Sequence, residues 1–332
     1  MDQQKLKLRT NLRDEEDLSE ETKTLISSLP LEESFTGRKL CKYQGCWYIH
    51  RTLQGVLNVK TSFEPQDTDI IVASFPKCGT TWLKALTFAL VRRSKHPFND
   101  QHHPLLSNNP HNLVPYLELN LYFFSKKPDL TEFSLSPRMF STHTPFHTLQ
   151  EGLKDSPCKI VYVSRNVKDT LVSYWHFVST KQRKDEVKKS SLEETFESFC
   201  SGVLFLGPFW DHVLSYWRRS LEDPKHVLFM RYEEMKAEPR EQIKRLAEFL
   251  GCPFSEEEEE SGSVDGIIDL CSLRNLSSLE INKTGKVAGD RDNKDFFGKG
   301  EVGGWKNHLT PEMENKIDTI IQEKLHGSGL NF

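Results

Sequence analysis

The chain lacks any uninterrupted apolar run near the ~18–20 residues that a membrane-spanning helix requires. Its opening, MDQQKLKLRTNLRDEEDLSEE, is charged throughout. It therefore has neither the apolar centre of a secretory signal nor the acid-poor character of a transit peptide, and a cytoplasmic protein that does not engage a membrane is expected. A basic excess is also missing. Lys and Arg number 44 against 48 Asp and Glu, for a net charge of -4. That argues against a general nucleic-acid binder but leaves room for one local cationic pocket. The seven cysteines (Cys41, Cys46, Cys78, Cys158, Cys200, Cys252 and Cys271) are odd in number and widely spaced, with no CxxC pair. They read as reduced thiols, mostly small core residues. No His, Cys and carboxylate cluster has ligand spacing, so no metal is expected. Internal repeats and Pro/Gly/Ser linkers are lacking too. Aromatic mass is plentiful, with 21 Phe, 8 Tyr and 6 Trp among 332 residues. This suffices for a large globular core.

Residues 1–20 read as a flexible, charged lead-in, followed by helical spacing of Leu18, Leu25 and Leu29. Residues 40–60 read as a loop or short strand carrying Tyr43, Trp47 and Tyr48. Strand patterns then alternate with helix patterns. DIIVAS (69–74), RMFST (138–142), KIVYVS (159–164) and VLFMR (227–231) are short β-rich runs. The first has no polar residue between Asp69 and Ser74, as a fully buried strand requires. A helix follows FPKCGTTW through about Arg92, with Trp82, Leu83, Leu86, Ala89 and Leu90 on one face. Another starts near Asn166, where Asp169 resembles the far half of a capping box. Further helices fit 191–203, 208–222, 239–250 and 311–325, and Glu256–Glu260 fits the first turn of a helix after Ser255. The alternation predicts an α/β fold: a central parallel sheet with helices on both faces.

Each strand candidate is followed by a polar residue suited to anion binding or proton transfer: Lys77, His143, Arg165 and Tyr232 in turn. Ligands of open parallel sheets bind beyond the carboxyl ends of the strands, so all four are expected on one rim. The segment Ser74-Phe75-Pro76-Lys77-Cys78-Gly79-Thr80-Thr81-Trp82 is the sharpest. A strand, a turn with Gly and a helix opening on two Thr present free N–H groups and a positive dipole end to phosphate. Gly79 admits close backbone approach, the Thr hydroxyls add donors, and Lys77 adds a full charge. The order differs from a Walker A loop, where Lys follows the last Gly.

These segments resemble the cytosolic sulfotransferases, which transfer a sulfuryl group from 3′-phosphoadenosine 5′-phosphosulfate (PAPS) to a small acceptor. The likeness runs from about Tyr43 to the C-terminus. It includes PKCGTTW (76–82), STHTP (141–145), YVSRNVKDTLVSYWHF (162–177), GPFWDHVLSYW (207–217), FMRYEEM (229–235) and GKGEVGGWKN (298–307). The phrasing is most similar to the plant branch, as in NPHNLVPYLE (109–118) and LCSL (270–273).

The resemblance implies one sulfotransferase domain over 21–332 and a P-loop-like strand–loop–helix. It implies that Lys77 stabilises charge on the bridging oxygen and that Cys78, Gly79, Thr80, Thr81 and Trp82 line the 5′ site. His143 is the implied general base. Arg165 and Ser173 are implied at the 3′-phosphate, Tyr232 at the adenine, and Gly298, Lys299 and Gly300 in a late nucleotide loop. Ser173 lies seven residues beyond Asn166, about two turns on, so a shared face is geometrically sensible. An imidazole with a pKa near ~6.5 suits removal of a hydroxyl proton.

Gly298 departs from the family's usual Arg, and Leu273 stands where a Phe often stacks on adenine. Lys306 and Thr310 fit the animal-type dimer signature, whereas Pro311 and Asn315 do not. Tyr122, Phe123, Phe124, Trp175, Phe177, Phe209 and Trp210 are aromatic candidates for an acceptor cleft, with plain core as the bland reading of each. The acceptor is expected to be a small apolar hydroxyl compound of flavonoid, steroid, hydroxyjasmonate or desulfo-glucosinolate type. A P-loop kinase or NTPase and a catalytically weak nucleotide-binding relative are the rival readings.

Overall fold

Local pairing builds a small sheet before the main one. The computed structural model describes residues 18–133, 135–153, 156–179, 191–287 and 291–332. Residues 1–17 of the expected flexible lead-in lie outside these. Leu18 is buried, and Ser19 caps the helix Glu20–Ser27 by accepting from Thr22 N, so residues 18–20 belong to the packed structure. Strands β1 (Leu31–Glu33), β2 (Lys39–Tyr43) and β3 (Cys46–Ile49) form an antiparallel sheet. Gln44 (φ 48°) and Gly45 (φ 82°) make the two-residue turn between β2 and β3. Two successive positive φ values match the twist of a tight hairpin.

The four anticipated strands form one parallel sheet: β4 (Ile70–Ser74), β5 (Met139–Thr142), β6 (Lys159–Ser164) and β7 (Val227–Arg231). Their order is β5-β4-β6-β7. Ile70 pairs with Met139 on one side and with Lys159 on the other, and Ile160 pairs with Val227. Every β4 residue is buried. Alternate side chains serve opposite cores: Ile71 and Ala73 pack with Phe75, Phe140 and Tyr162, while Ile70 and Val72 pack with Val161, Leu83 and Leu246. That two-sided burial explains the absence of a polar residue in the run. Asp69 anchors the sheet's lower end, accepting Arg138 Nε at 2.8 Å and Nη2 at 2.5 Å.

Helices α1 (Thr80–Arg92), α2 (Val167–Ser179), α3 (Phe209–Glu222), α4 (Pro239–Leu250) and α5 (Pro311–Leu325) follow the expected segments. The glutamate run is helix Glu256–Glu260, with the Ser255–Glu258 capping box present. Asp169 differs from expectation. Asn166 Oδ1 accepts from Lys168 N at 3.0 Å, but the Asp169 carboxylate turns to Gly303 N (2.8 Å) and Trp305 N (3.1 Å). Two backbone donors over 130 residues away outcompete the local cap, tying the late loop to α2. Among the described residues, no helix is long and apolar enough to cross a membrane.

Candidate active site

The turn after β4 combines two left-handed residues, Lys77 (φ 72°) and Gly79 (φ 104°). Lysine rarely adopts this region, and backbone strain of this kind concentrates at functional turns. Gly79 is the N-cap of α1 and supplies no side-chain cap, so the first N–H groups of the helix lack that partner. A Cβ on Gly79 would lie 2.7 Å from Tyr232 Cδ2, so only glycine lets the turn reach the ring. The Thr hydroxyls bond within the protein: Thr80 Oγ1 lies 2.6 Å from Ser74 Oγ, and Thr81 Oγ1 lies 3.0 Å from His111 Nε2. Cys78 Sγ faces inward, 3.5 Å from Thr170 Oγ1. Burial pushes its thiol up to about 12, which leaves it an inert packing group.

Lys77 is partly exposed on the rim, with Nζ 4.1 Å from the centre of the Phe177 ring. The Arg291 guanidinium lies 3.9 Å from the same ring. Desolvation, then repulsion from Arg291 and Arg165, holds the Lys77 ammonium down to about 7, with Asp295 opposing. The pocket is thus short of negative charge.

His143 follows β5 directly. Its Nδ1 lies 2.6 Å from Ser74 O and its Nε2 lies 2.8 Å from the Tyr116 hydroxyl. A carbonyl can only accept, so Nδ1 carries the hydrogen and Nε2 the lone pair, which accepts from Tyr116 O–H. Glu118 Oε1 accepts the His143 backbone N–H at 2.7 Å. The bridge between Tyr116 and Ser141 places the 114–118 segment along the outer edge of β5. Burial lowers the His143 imidazole to about 3, well below the ordinary value expected from sequence. The ring is neutral, as a base must be, but weak until negative charge enters the site.

On the other side of the loop, Arg165 donates from Nη2 to Glu301 O at 2.6 Å, and its guanidinium lies 4.8 Å from the Tyr232 ring centre. Arg165 Nε is buried with no partner among the described residues, a donor suited to an anion. Trp82 and Tyr232 meet edge to face at 5.5 Å. The Tyr232 hydroxyl donates to Gly300 O at 2.9 Å. Gly300 (φ 65°) lies so close to Leu273 that a Cβ would be 2.6 Å from Leu273 Cδ2. Gly298 and Lys299 are exposed, and a Cβ on Gly298 meets nothing within 4 Å. Ser173 is partly exposed on α2, whose first turn follows Arg165.

Beside Phe177 opens a small cleft of about 70 Å³, continuous with solvent. Tyr174, Phe177, Val178 and Phe205 line it together with Arg38 and Arg291. Of the aromatic candidates from sequence, Phe177 alone is in this lining. Tyr122, Phe209 and Trp210 are buried core residues. Phe123 and Phe124 pack under the Arg51 guanidinium, each centroid 4.8 Å away, and Trp175 packs at a tilt against His176, 4.5 Å between ring centres.

The Sulfotransferase domain family matches residues 67–329. Cytosolic sulfotransferase 5 of Arabidopsis thaliana is 76% identical over 317 residues, spanning 96% of this chain and 98% of the relative. The chain is a plant cytosolic sulfotransferase. Cytosolic sulfotransferase 6 of the same plant is 73% identical over the full length of both chains (100% of each). Among solved structures, an Arabidopsis thaliana protein provisionally named as a steroid sulphotransferase matches with a TM-score of 0.74 at 41% identity, covering 95% of this chain and 98% of that one. A mouse sulfotransferase complexed with PAP, the bisphosphate left when PAPS loses its sulfuryl group, matches with a TM-score of 0.65 at 26% identity, covering 87% and 95%.

Several residues packed around the candidate site carry no sequence motif of their own. Tyr116, Glu118 and His111 all lie in NPHNLVPYLE, whose likeness to the plant branch does not assign them a role. Arg291 lies in a segment without periodicity. The signal available for the first three was their density of polar groups around a Pro in an otherwise apolar stretch.

Proposed function

We propose that this PAPS-dependent sulfotransferase sulfates a hydroxyl of a ring-bearing small molecule, with residues 21–332, and the packed residues 18–20 before them, acting as one unit in the cytosol. One observation carries the reading: the carboxyl ends of adjacent parallel strands deliver Lys77, His143, Arg165 and Tyr232 around a helix start that is open to an anion. The first N–H groups of α1 and Lys77 hold the 5′-phosphosulfate. Arg165, through its unpartnered Nε, and Ser173 hold the 3′-phosphate, while the adenine packs against the Trp82 and Tyr232 pair. Gly300 keeps the late loop close to Tyr232, and Lys299 supplies a point charge near it.

His143 Nε2 takes the acceptor's proton in place of the Tyr116 hydrogen bond. The acceptor oxygen bonds to sulfur as the bond from sulfur to the bridging oxygen breaks. Lys77 stabilises the charge that appears on the departing phosphate. Such transfer depends on in-line positioning and charge stabilisation more than on covalent help. The aromatic wall beside Phe177 suits a flat ring. Arg38 and Arg291 favour acceptors that also carry oxygens or an acid group, so flavonoid and hydroxyjasmonate types rank above an unadorned steroid.

The test is transfer of label from ³⁵S-PAPS to a panel of these acceptors in EDTA, alongside γ-labelled ATP with magnesium. Label on a hydroxyl acceptor from PAPS alone is expected. Phosphoryl transfer from ATP in place of it would support the kinase reading. PAP raising the melting temperature with no acceptor sulfated would support the binding-only reading.

A further inference from the structure

Behind the donor loop lies a hydrogen-bonded chain of polar side chains that this chemistry leaves unused. Lys84, in the second turn of α1, is 0% exposed, and His111 is 5% exposed. Lys84 Nζ lies 2.9 Å from His111 Nδ1, and His111 Nε2 lies 3.0 Å from Thr81 Oγ1. The imidazole is held in place from several sides. Its backbone N–H donates to Asn109 Oδ1, Phe296 packs at 4.2 Å, and Tyr116 stacks at 5.5 Å. A fully buried lysine is costly to keep, so its retention here asks for a role.

The direction of the chain is set by what Lys84 offers. Burial holds its ammonium well below the usual lysine range, and as the neutral amine it still carries two N–H donors. With one of them on His111 Nδ1, that nitrogen accepts and the ring hydrogen sits on Nε2. Nε2–H then donates to Thr81 Oγ1. A hydroxyl that accepts there keeps its own hydrogen, and Thr81 is partly exposed at the helix start. The opposite tautomer would draw that hydrogen to Nε2 and turn only lone pairs toward an anion.

We propose that Lys84 and His111 are positioning residues that fix the Thr81 hydroxyl as a hydrogen-bond donor to the 5′-phosphate of the sulfuryl donor. The proposal rests on the reading of the 75–82 turn as the phosphosulfate site. It assigns His111 the Nε2–H tautomer, which ¹⁵N chemical shifts of the ring in the full chain report directly. A ring protonated at Nδ1 instead would overturn it.

The functional test is a double-mutant cycle read by calorimetric titration of PAP. Thr81→Val removes the hydroxyl and His111→Phe keeps a flat ring without nitrogens. Each is expected to weaken PAP binding about tenfold, the scale of one charge-assisted hydrogen bond. The double variant is expected to be no weaker than Thr81→Val alone, because His111 acts through that hydroxyl. His111→Gln, which can return a donor to the place of Nε2, should recover most of the affinity and guards against loss through misfolding. Losses that multiply in the double variant would overturn the proposal, as would a Thr81→Val variant that binds PAP like wild type. Failure of wild type to bind PAP would instead overturn the phosphosulfate reading beneath it.

Discussion

Binding of PAP should draw a proton from solution, and Lys77 is the reason. Burial and the neighbouring Arg291 and Arg165 charges hold its ammonium down to about 7 in the free protein. An arriving phosphate dianion reverses the sign of the local field, so the bound lysine is protonated across the working range. With a free-state value of about 7, some nine-tenths of Lys77 is neutral at pH 8, and binding there takes up about 0.9 proton. At pH 7 the uptake from this group is about half a proton.

The sign follows directly. A group whose bound-state pKa is raised adds affinity in full below its free-state value and loses it as pH rises. The lysine's contribution to PAP binding is therefore roughly level below pH 7 and falls by on the order of fiftyfold between pH 7 and pH 9. Phosphate monoesters complete their own ionisation near pH ~6, so the window above 7.5 isolates the lysine. Titration calorimetry at pH 8 in buffers of different ionisation enthalpy counts the proton. Lys77→Met should bind more weakly with no uptake. Zero uptake by the wild type between pH 7.5 and 8.5 would mean that the ammonium is already charged in the empty pocket, and would rule out this role for Lys77.

His143→Ala should leave PAP affinity within about threefold of wild type, yet remove nearly all sulfuryl transfer, on the scale of ~10²–10⁴ for a general base; undiminished single-turnover rates would remove His143 from that role. Gly298→Arg has open space around its Cβ and should tighten PAP binding by roughly ten- to a hundredfold, the worth of one added charge-assisted contact. An unchanged dissociation constant would mean that another group already neutralises that charge. Gly300→Ala must hold an alanine at φ 65° against Leu273 and the Tyr232 hydroxyl. It should weaken PAP about five- to tenfold with little change in melting temperature, since the strain of ~1–2 kcal/mol sits in the nucleotide loop. Asp69→Ala leaves the buried Arg138 guanidinium without its carboxylate partner and should lower unfolding free energy by about 3–5 kcal/mol in denaturant titration, with the slope unchanged.

The parallel sheet was legible because burial on both faces keeps charge out of the strands, and IIVAS, MFST, KIVYVS and VLFMR carry charge only at Lys159 and Arg231, at their ends. Helices α4 and α5 lie where the 3.6-residue pattern placed them. The amino-terminal hairpin was harder. LCKYQGCWYI has no clean alternation, and the cue was the Gln44-Gly45 pair, whose positive φ values a glycine-containing turn permits. Helix His50–Ser62 was missed for a related reason: its interior carries Arg51, Thr52 and Asn58 as buried polar residues, which blurs the apolar stripe.

Within the site, residues at strand ends were readable because topology alone sends them to one rim. Tyr116, His111 and Glu118 arrive by a different route, through a segment that docks on the edge of β5. Their part depends on hydrogen bonds between groups far apart in sequence, such as His143 Nε2 with the Tyr116 hydroxyl. The role of Asp169 was misjudged for the same reason. A capping box is a local pattern, whereas its actual partners, Gly303 N and Trp305 N, are fixed by how the late loop folds back on α2.

The central claim is that one cationic pocket at the strand ends accepts a bisphosphorylated adenosine. A crystal structure of the full chain with PAP decides it. In that complex the 5′-phosphate is expected on the N–H groups that open α1, the 3′-phosphate against Arg165 and Ser173, and the adenine against the outer faces of Trp82 and Tyr232. PAP seated in the cleft between Arg38 and Phe205, or on a surface remote from Lys77 and Arg165, would contradict it.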